Sequence, residues 1–236
     1  MNSPSAQARP GWRGWLAAFR VYLEPASLRM FSLGFSAGLP LLLVLGTLSF
    51  WLREAGIDRT TIGYLSWVGL AYAFKWVWAP LVDRLPIPVL TRALGRRRSW
   101  LLLSQIAIMF GLIAMSFNDP QVALLPIVWG ALAVAFGSAT QDIALDAFRI
   151  ESAEADRQAA LAAAYQTGYR LAMIWAGAGV LWVAARAEVP GATGYQHSAW
   201  HTAYLVMSVS MLPGVLTVLF SREPLNRPLT PAKNAI

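Results

Sequence analysis

Residues 33–52 read LGFSAGLPLLLVLGTLSFWL, twenty positions without one charged side chain. A helix of that length is about 30 Å long, which matches the hydrocarbon thickness of a bilayer. Inside lipid a helix satisfies its own backbone, whereas an isolated strand leaves its N–H and C=O groups bare. The stretch is therefore read as a membrane-crossing helix.

The rest of the chain follows the same rule. Apolar residues make up 57% of the 236 positions and charged residues 13%, against roughly a quarter charged in an ordinary soluble domain. The apolar runs place six spans, at 28–52, 62–82, 99–117, 122–148, 159–184 and 201–220. The expected fold is an all-α, polytopic membrane bundle of six transmembrane helices. Connections between the runs are short, which leaves little room for a folded soluble domain. The expected organisation is residues 1–27 as a cytoplasmic N-terminal segment, 28–220 as the membrane domain, and 221–236 as a cytoplasmic tail. In the first segment, WRGWLAAFRVYLEP (residues 12–25) carries Trp12, Trp15, Leu16, Phe19, Tyr22 and Leu23 at helical spacing. That pattern suits an amphipathic helix lying on the membrane surface, or one packed on its own protein.

Charge sets the orientation. The formal net charge is +7. A nucleic-acid partner is not inferred from it, because the basic residues gather in short loops. With the N-terminus inside, cytoplasmic segments hold fourteen Lys and Arg and external segments hold three, Arg53, Arg59 and Arg186. The asymmetry puts both termini in the cytoplasm. Cysteine is absent, so disulfides and thiolate metal sites are excluded. His197 and His201 share a helical face, but no third ligand stands near in sequence, and neither a metal nor a cofactor is expected.

Two cations remain inside the spans, Lys75 and Arg170, and two acids, Asp142 and Asp146, fall four residues apart in QDIALDAFRIE (residues 141–151). An unpaired charge at mid-bilayer costs at least about 2.5–3.5 kcal/mol, so these side chains are expected to face a partner or a wet interior. Lys75, Gln141, Asp142, Asp146, Tyr169 and Arg170 form the candidate substrate and proton pathway. Lys75, Arg170 and Asp142 sum to one positive charge, which suits an anionic solute. The structural alternative is an ion pair of Asp142 with Lys75 or Arg170 that locks helices together. For Asp146 a local pair with Arg149 is the simpler reading. Gly34, Gly38 and Pro40 mark a helix break in the first span, with close packing as the plain alternative for the glycines. An intramembrane aspartyl protease needs two opposed carboxylates; here both lie on one helix, and an enzyme is not expected.

Taken in order, LGFSAGLPLLLVLGTLSFWL, VGLAYAFKWVWAPLVDR (68–84), LGRRRSWLLLSQ (94–105), SATQDIALDAFRIE (138–151) and GYRLAMI (168–174) resemble successive signatures of the AmpG-type muropeptide permeases of the major facilitator superfamily. The acetyl-CoA transporter family is a more distant relative. The resemblance implies proton-coupled import of anhydro-muropeptides across the bacterial inner membrane during cell-wall recycling. It also implies that Asp83, Arg84, Gly95 and Arg96 act as a cytoplasmic gating motif. Family members have two six-helix halves, and this chain resembles the first, so a second half or a homodimer is an expected partner, along with protons and the bilayer. The alternatives are a membrane fragment that binds or regulates a partner without transporting, and a carrier of another anionic solute such as acetyl-CoA.

Overall fold

The computed structural model describes residues 20–152 and 155–224. The expected surface helix falls mostly on residues 1–19, and the tail on residues 225–236, both outside the described part. The described chain is helical and contains no strand. Five helices are long and apolar enough to cross a membrane: α1 (Pro25–Glu54), α6 (Arg96–Ser116), α7 (Leu124–Ser152), α8 (Arg157–Ala187) and α9 (His197–Phe220).

The sixth expected span is the exception. Residues 62–82 do not form one helix. They fall within short pieces, α2 (Arg59–Leu65), α3 (Leu70–Ala73) and α4 (Ala79–Arg84), joined by 3₁₀ turns at Ser66–Gly69 and Lys75–Val77. The sequence supplies the reason. Pro80 has no N–H to donate to the carbonyl one turn back, and its ring disfavours helix in the residue before it. Tyr64, Trp67, Phe74 and Trp76 are all exposed, so little packing holds the segment straight. A short helix, α5 (Leu90–Leu94), leads through Gly95, at φ +89°, into α6.

α1 begins where Pro25 occupies its first turn and Ser27 Oγ donates to Val21 O at 2.7 Å. It packs along α8, and the glycines decide how closely. A Cβ on Gly34 would lie 2.2 Å from Tyr165 O, and one on Gly38 would lie 2.4 Å from Tyr169 O. The helix runs unbroken through both glycines, so they are seats for α8. The irregularity comes after Pro40, as a π-helical turn at Leu43–Thr47. α8 carries a matching π turn at Trp175–Gly179. Carbonyls in both turns are capped by side chains: Tyr204 donates to Leu43 O at 3.0 Å, and Thr47 to Ala176 O at 2.7 Å.

α6 packs on α7, and α9 closes the bundle against α6, α8 and α1. The core has two apolar layers. One holds Leu39, Trp51, Ile108, Val134, Trp200 and Met211; the other holds Leu33, Leu101, Leu145, Phe148 and Val218. Between them lies a thin polar layer. Ser36 Oγ receives the amides of Gln105 at 3.5 Å and Gln141 at 3.4 Å, and donates to Met211 Sδ at 3.6 Å. All three polar side chains are fully buried.

Candidate functional site

The broken second segment is what places Lys75. The 3₁₀ turn at Lys75–Val77 lies against α7, where Trp78 Nε1 donates to Thr140 Oγ1 at 3.2 Å. One turn from that anchor, Lys75 Nζ meets Asp142 Oδ2 at 3.5 Å. The pair is partly open, with 39% of the lysine and 21% of the aspartate side chain exposed. The pair borders an exposed face of the described chain.

Three tyrosines surround the carboxylate. Tyr72 of α3 and Tyr165 and Tyr169 of α8 all lie within electrostatic reach of Asp142. The rings of Tyr165 and Tyr169 stand 5.9 Å apart, tilted by 45°. Tyr169 also feels the Arg170 guanidinium. Arg170 itself is exposed, and its side-chain hydrogen bond among the described residues is to Met173 Sδ at 3.9 Å. The partner of Asp142 is therefore Lys75, and Arg170 contributes a positive charge that no carboxylate neutralises among the described residues.

Two members of the expected pathway lie elsewhere. Gln141 points the opposite way from its neighbour Asp142, into the buried layer with Ser36. Asp146 pairs with Arg149 on its own helix at 3.5 Å and is mostly exposed. Helix phase separates Gln141 from Asp142, because adjacent residues on a helix diverge by about 100°.

A second constellation closes the basic end of the bundle. Arg97 bridges two acids. Its Nη1 lies 2.6 Å from Asp83 Oδ1, and its Nη2 lies 2.7 Å from Glu151 Oε1. Glu223, beyond the end of α9, caps the start of α6 by accepting from the amides of Arg97 at 2.7 Å and Arg98 at 3.1 Å. A Cβ on Gly95 would collide with that carboxylate. Arg98 turns to α9 and donates to Val218 O at 2.7 Å and Leu219 O at 2.6 Å. Of the expected gating set, Asp83 and Gly95 belong to this cluster. Arg84 and Arg96 form no ion pair among the described residues, and Arg97 is the arginine that reaches Asp83. Glu151 and Glu223 were not expected, and Arg98 was expected only as part of the basic run Arg96–Arg98. Their signal lay in charges that open α6, end α7 and follow α9.

At the opposite end the contacts knit loops together. Trp51 Nε1 donates to Tyr195 OH at 3.0 Å, and Tyr195 donates to Asp119 Oδ1 at 3.2 Å. Burial holds the Tyr195 hydroxyl well above the usual phenol pKa, so it remains a donor. His197 Nε2 and His201 Nδ1 both reach Ser116 O, at 3.1 and 2.9 Å. A carbonyl only accepts, so each of those nitrogens carries a proton.

Residues 28–175 match the model of a protein family described as acetyl-coenzyme A transporter 1. The chain belongs to that family. Members named for muropeptides are among its relatives. It is 38% identical to the anhydromuropeptide permease of Escherichia coli K12 over 205 residues, which are 87% of this chain and 39% of the permease. It is 33% identical to transporter AmpG 4 of Rickettsia felis over 204 residues, 86% of this chain and 47% of the relative. The resemblance to AmpG-type permeases is borne out by these matches, and the chain is a multi-pass membrane protein of that family. It spans less than half the length of either relative. Lys75, Asp142 and Arg170 fall within the family match, as do Asp83, Arg97 and Glu151; Glu223 lies beyond it.

Proposed function

We propose that this chain forms one wall of a transport pathway for anhydro-muropeptides across the bacterial inner membrane, with both termini in the cytoplasm. The observation that carries the reading is the partly open Lys75–Asp142 pair, with Arg170 on α8 uncompensated among the described residues. The name of the E. coli relative supplies the substrate class. A muropeptide bears carboxylates, and Arg170 offers them a fixed positive charge. Asp142 is the group on this wall that can exchange a proton. Protonation releases Lys75, and a free lysine draws the anionic substrate, which couples proton entry to uptake.

The face holding these residues needs a cover. Only 28% of the most apolar stretch of α8 is buried, against 61% for α1. A second helical half, or a second copy of this chain, placed over α8 and residues 59–84 makes an enclosed path.

The experiment is uptake of labelled anhydro-muropeptide into proteoliposomes, with and without an imposed proton gradient. The chain is tested alone and co-expressed with a segment equivalent to the remaining part of the E. coli permease. Gradient-dependent uptake lost in Asp142→Asn supports the reading. Uptake of equal size without Asp142 overturns the coupling role, and no uptake in either format overturns transport by this chain.

A further inference from the structure

At the basic end of the bundle a cavity of about 220 Å³ opens between the start of α1, the end of α7 and the residues after α9. Arg29, Phe148, Glu151, Ser152, Arg222 and Glu223 line it. The acids in its wall are already engaged. Both oxygens of Glu151 accept from Arg97, and both oxygens of Glu223 accept from backbone amides of α6. The two arginines are not engaged. Arg29 is half-buried and Arg222 exposed, and neither makes a hydrogen bond or ion pair among the described residues. The unspent hydrogen-bonding capacity of the cavity is therefore two guanidinium forks. The lining holds two arginines and two glutamates, and the glutamates are already met by Arg97 and by the start of α6.

We propose that this cavity is a phosphate site, in which Arg29 and Arg222 grip one phosphate group between α1 and the end of α9. A guanidinium presents paired N–H groups at the spacing of two phosphate oxygens. A carboxylate has two oxygens and fills one fork, whereas a tetrahedral phosphate can satisfy both forks while turning its remaining oxygens outward. The phosphate comes either from a lipid headgroup at that membrane surface or from solution. Bound, it ties the first and last helices beside the Arg97 cluster. The proposal stands apart from the transport reading, since it concerns residues outside the Lys75–Asp142 wall.

The test uses the full chain, purified in detergent, in two arms. Native mass spectrometry reads retained phosphatidylglycerol, and calorimetric titration reads inorganic phosphate. Arg29→Gln/Arg222→Gln is compared with Arg20→Gln/Arg92→Gln, which removes the same charge elsewhere at this end. The site variant is expected to lose about tenfold in one arm, with the control pair unchanged. Loss in the lipid arm alone identifies a headgroup site; loss in the phosphate arm, with or without the lipid arm, identifies a site that takes free phosphate. Equal loss in both double variants, or loss in neither, overturns the proposal. Should the double variant not fold, Arg222→Gln alone at its exposed position decides, with a loss of about threefold expected and no change overturning the site.

Discussion

At the residue scale the decisive contact is the one between Lys75 and Asp142. Removing one member of a half-buried pair leaves the other desolvated without compensation. Lys75→Gln is therefore expected to weaken gradient-driven uptake by about tenfold or more, and Asp142→Asn to abolish its dependence on the gradient, while both proteins still insert. Double substitution to Gln and Asn is expected to cost less stability than either single change, because no lone charge remains; thermal unfolding of the three variants in detergent checks this. Asp58 provides a separate pH test outside the membrane. It caps α2, accepting from the Thr61 amide at 2.9 Å and from the Thr61 hydroxyl at 2.5 Å, and those bonds hold its carboxyl below the ordinary value, the hydroxyl contributing most. A depressed carboxylate adds stability above its unfolded pKa, and that stability fades as pH falls through the folded value. The protection factor of the Thr61 amide, corrected for the intrinsic pH dependence of exchange, should be high near neutral pH and should fall as pH drops through the lowered pKa of Asp58. Thr61→Val should move the onset of fast exchange to higher pH, as hydrogen exchange will read.

Among the elements, the fit of α1 to α8 depends on absent side chains. Gly34→Val is expected to cost about 1–3 kcal/mol or to push the helices apart, since its Cβ meets a backbone carbonyl that cannot swing away. Gly63→Ala, where nothing lies within 4 Å, is expected to be neutral or to stabilise α2 by up to about 1 kcal/mol; thermal unfolding distinguishes the two. Five of the six expected spans were legible because length and apolarity alone identify a helix in lipid. Residues 62–82 were read as one continuous helix, because hydropathy does not register that Pro80 breaks the ladder or that Trp67 and Trp76 stay exposed. In the site, Lys75 and Asp142 were legible as charges stranded in apolar runs. Arg97 was not, since Arg96, Arg97 and Arg98 look alike as a topology signal. Helix phase would have separated Arg97 from Arg96. Arg97 continues the buried stripe of Leu101, Ser104 and Ile108, whereas Arg96 lies off it. Arg97→Gln strands Glu151, 15% exposed, and is expected to cost about 3–5 kcal/mol, against under about 0.5 kcal/mol for Arg96→Gln.

Taken as a whole molecule, the bundle is sealed on one side and open on the other. Inward of α1, α6, α7 and α9 lie two apolar layers and a buried polar seam. The opposite side displays Lys75, Asp142, Tyr169 and Arg170 beside the exposed aromatic residues of 59–84. If that side is a hydrated wall, Arg170 contacts water; if it is a lipid-facing side, the guanidinium must reach an interface to be tolerated. The lack of native cysteine makes the two cases separable. Arg170→Cys and Phe110→Cys place single thiols on α8 and on the exposed apolar side of α6. A charged, membrane-impermeant thiol reagent needs water and a thiolate, neither of which the hydrocarbon core supplies. Position 170 is expected to react at least about tenfold faster than position 110 in proteoliposomes. Anhydro-muropeptide, added in excess, should slow the reaction at 170 and leave 110 unchanged. Protection at 170 requires the substrate to lie against α8, so a reactive but unprotected thiol would place the water there and the muropeptide somewhere else.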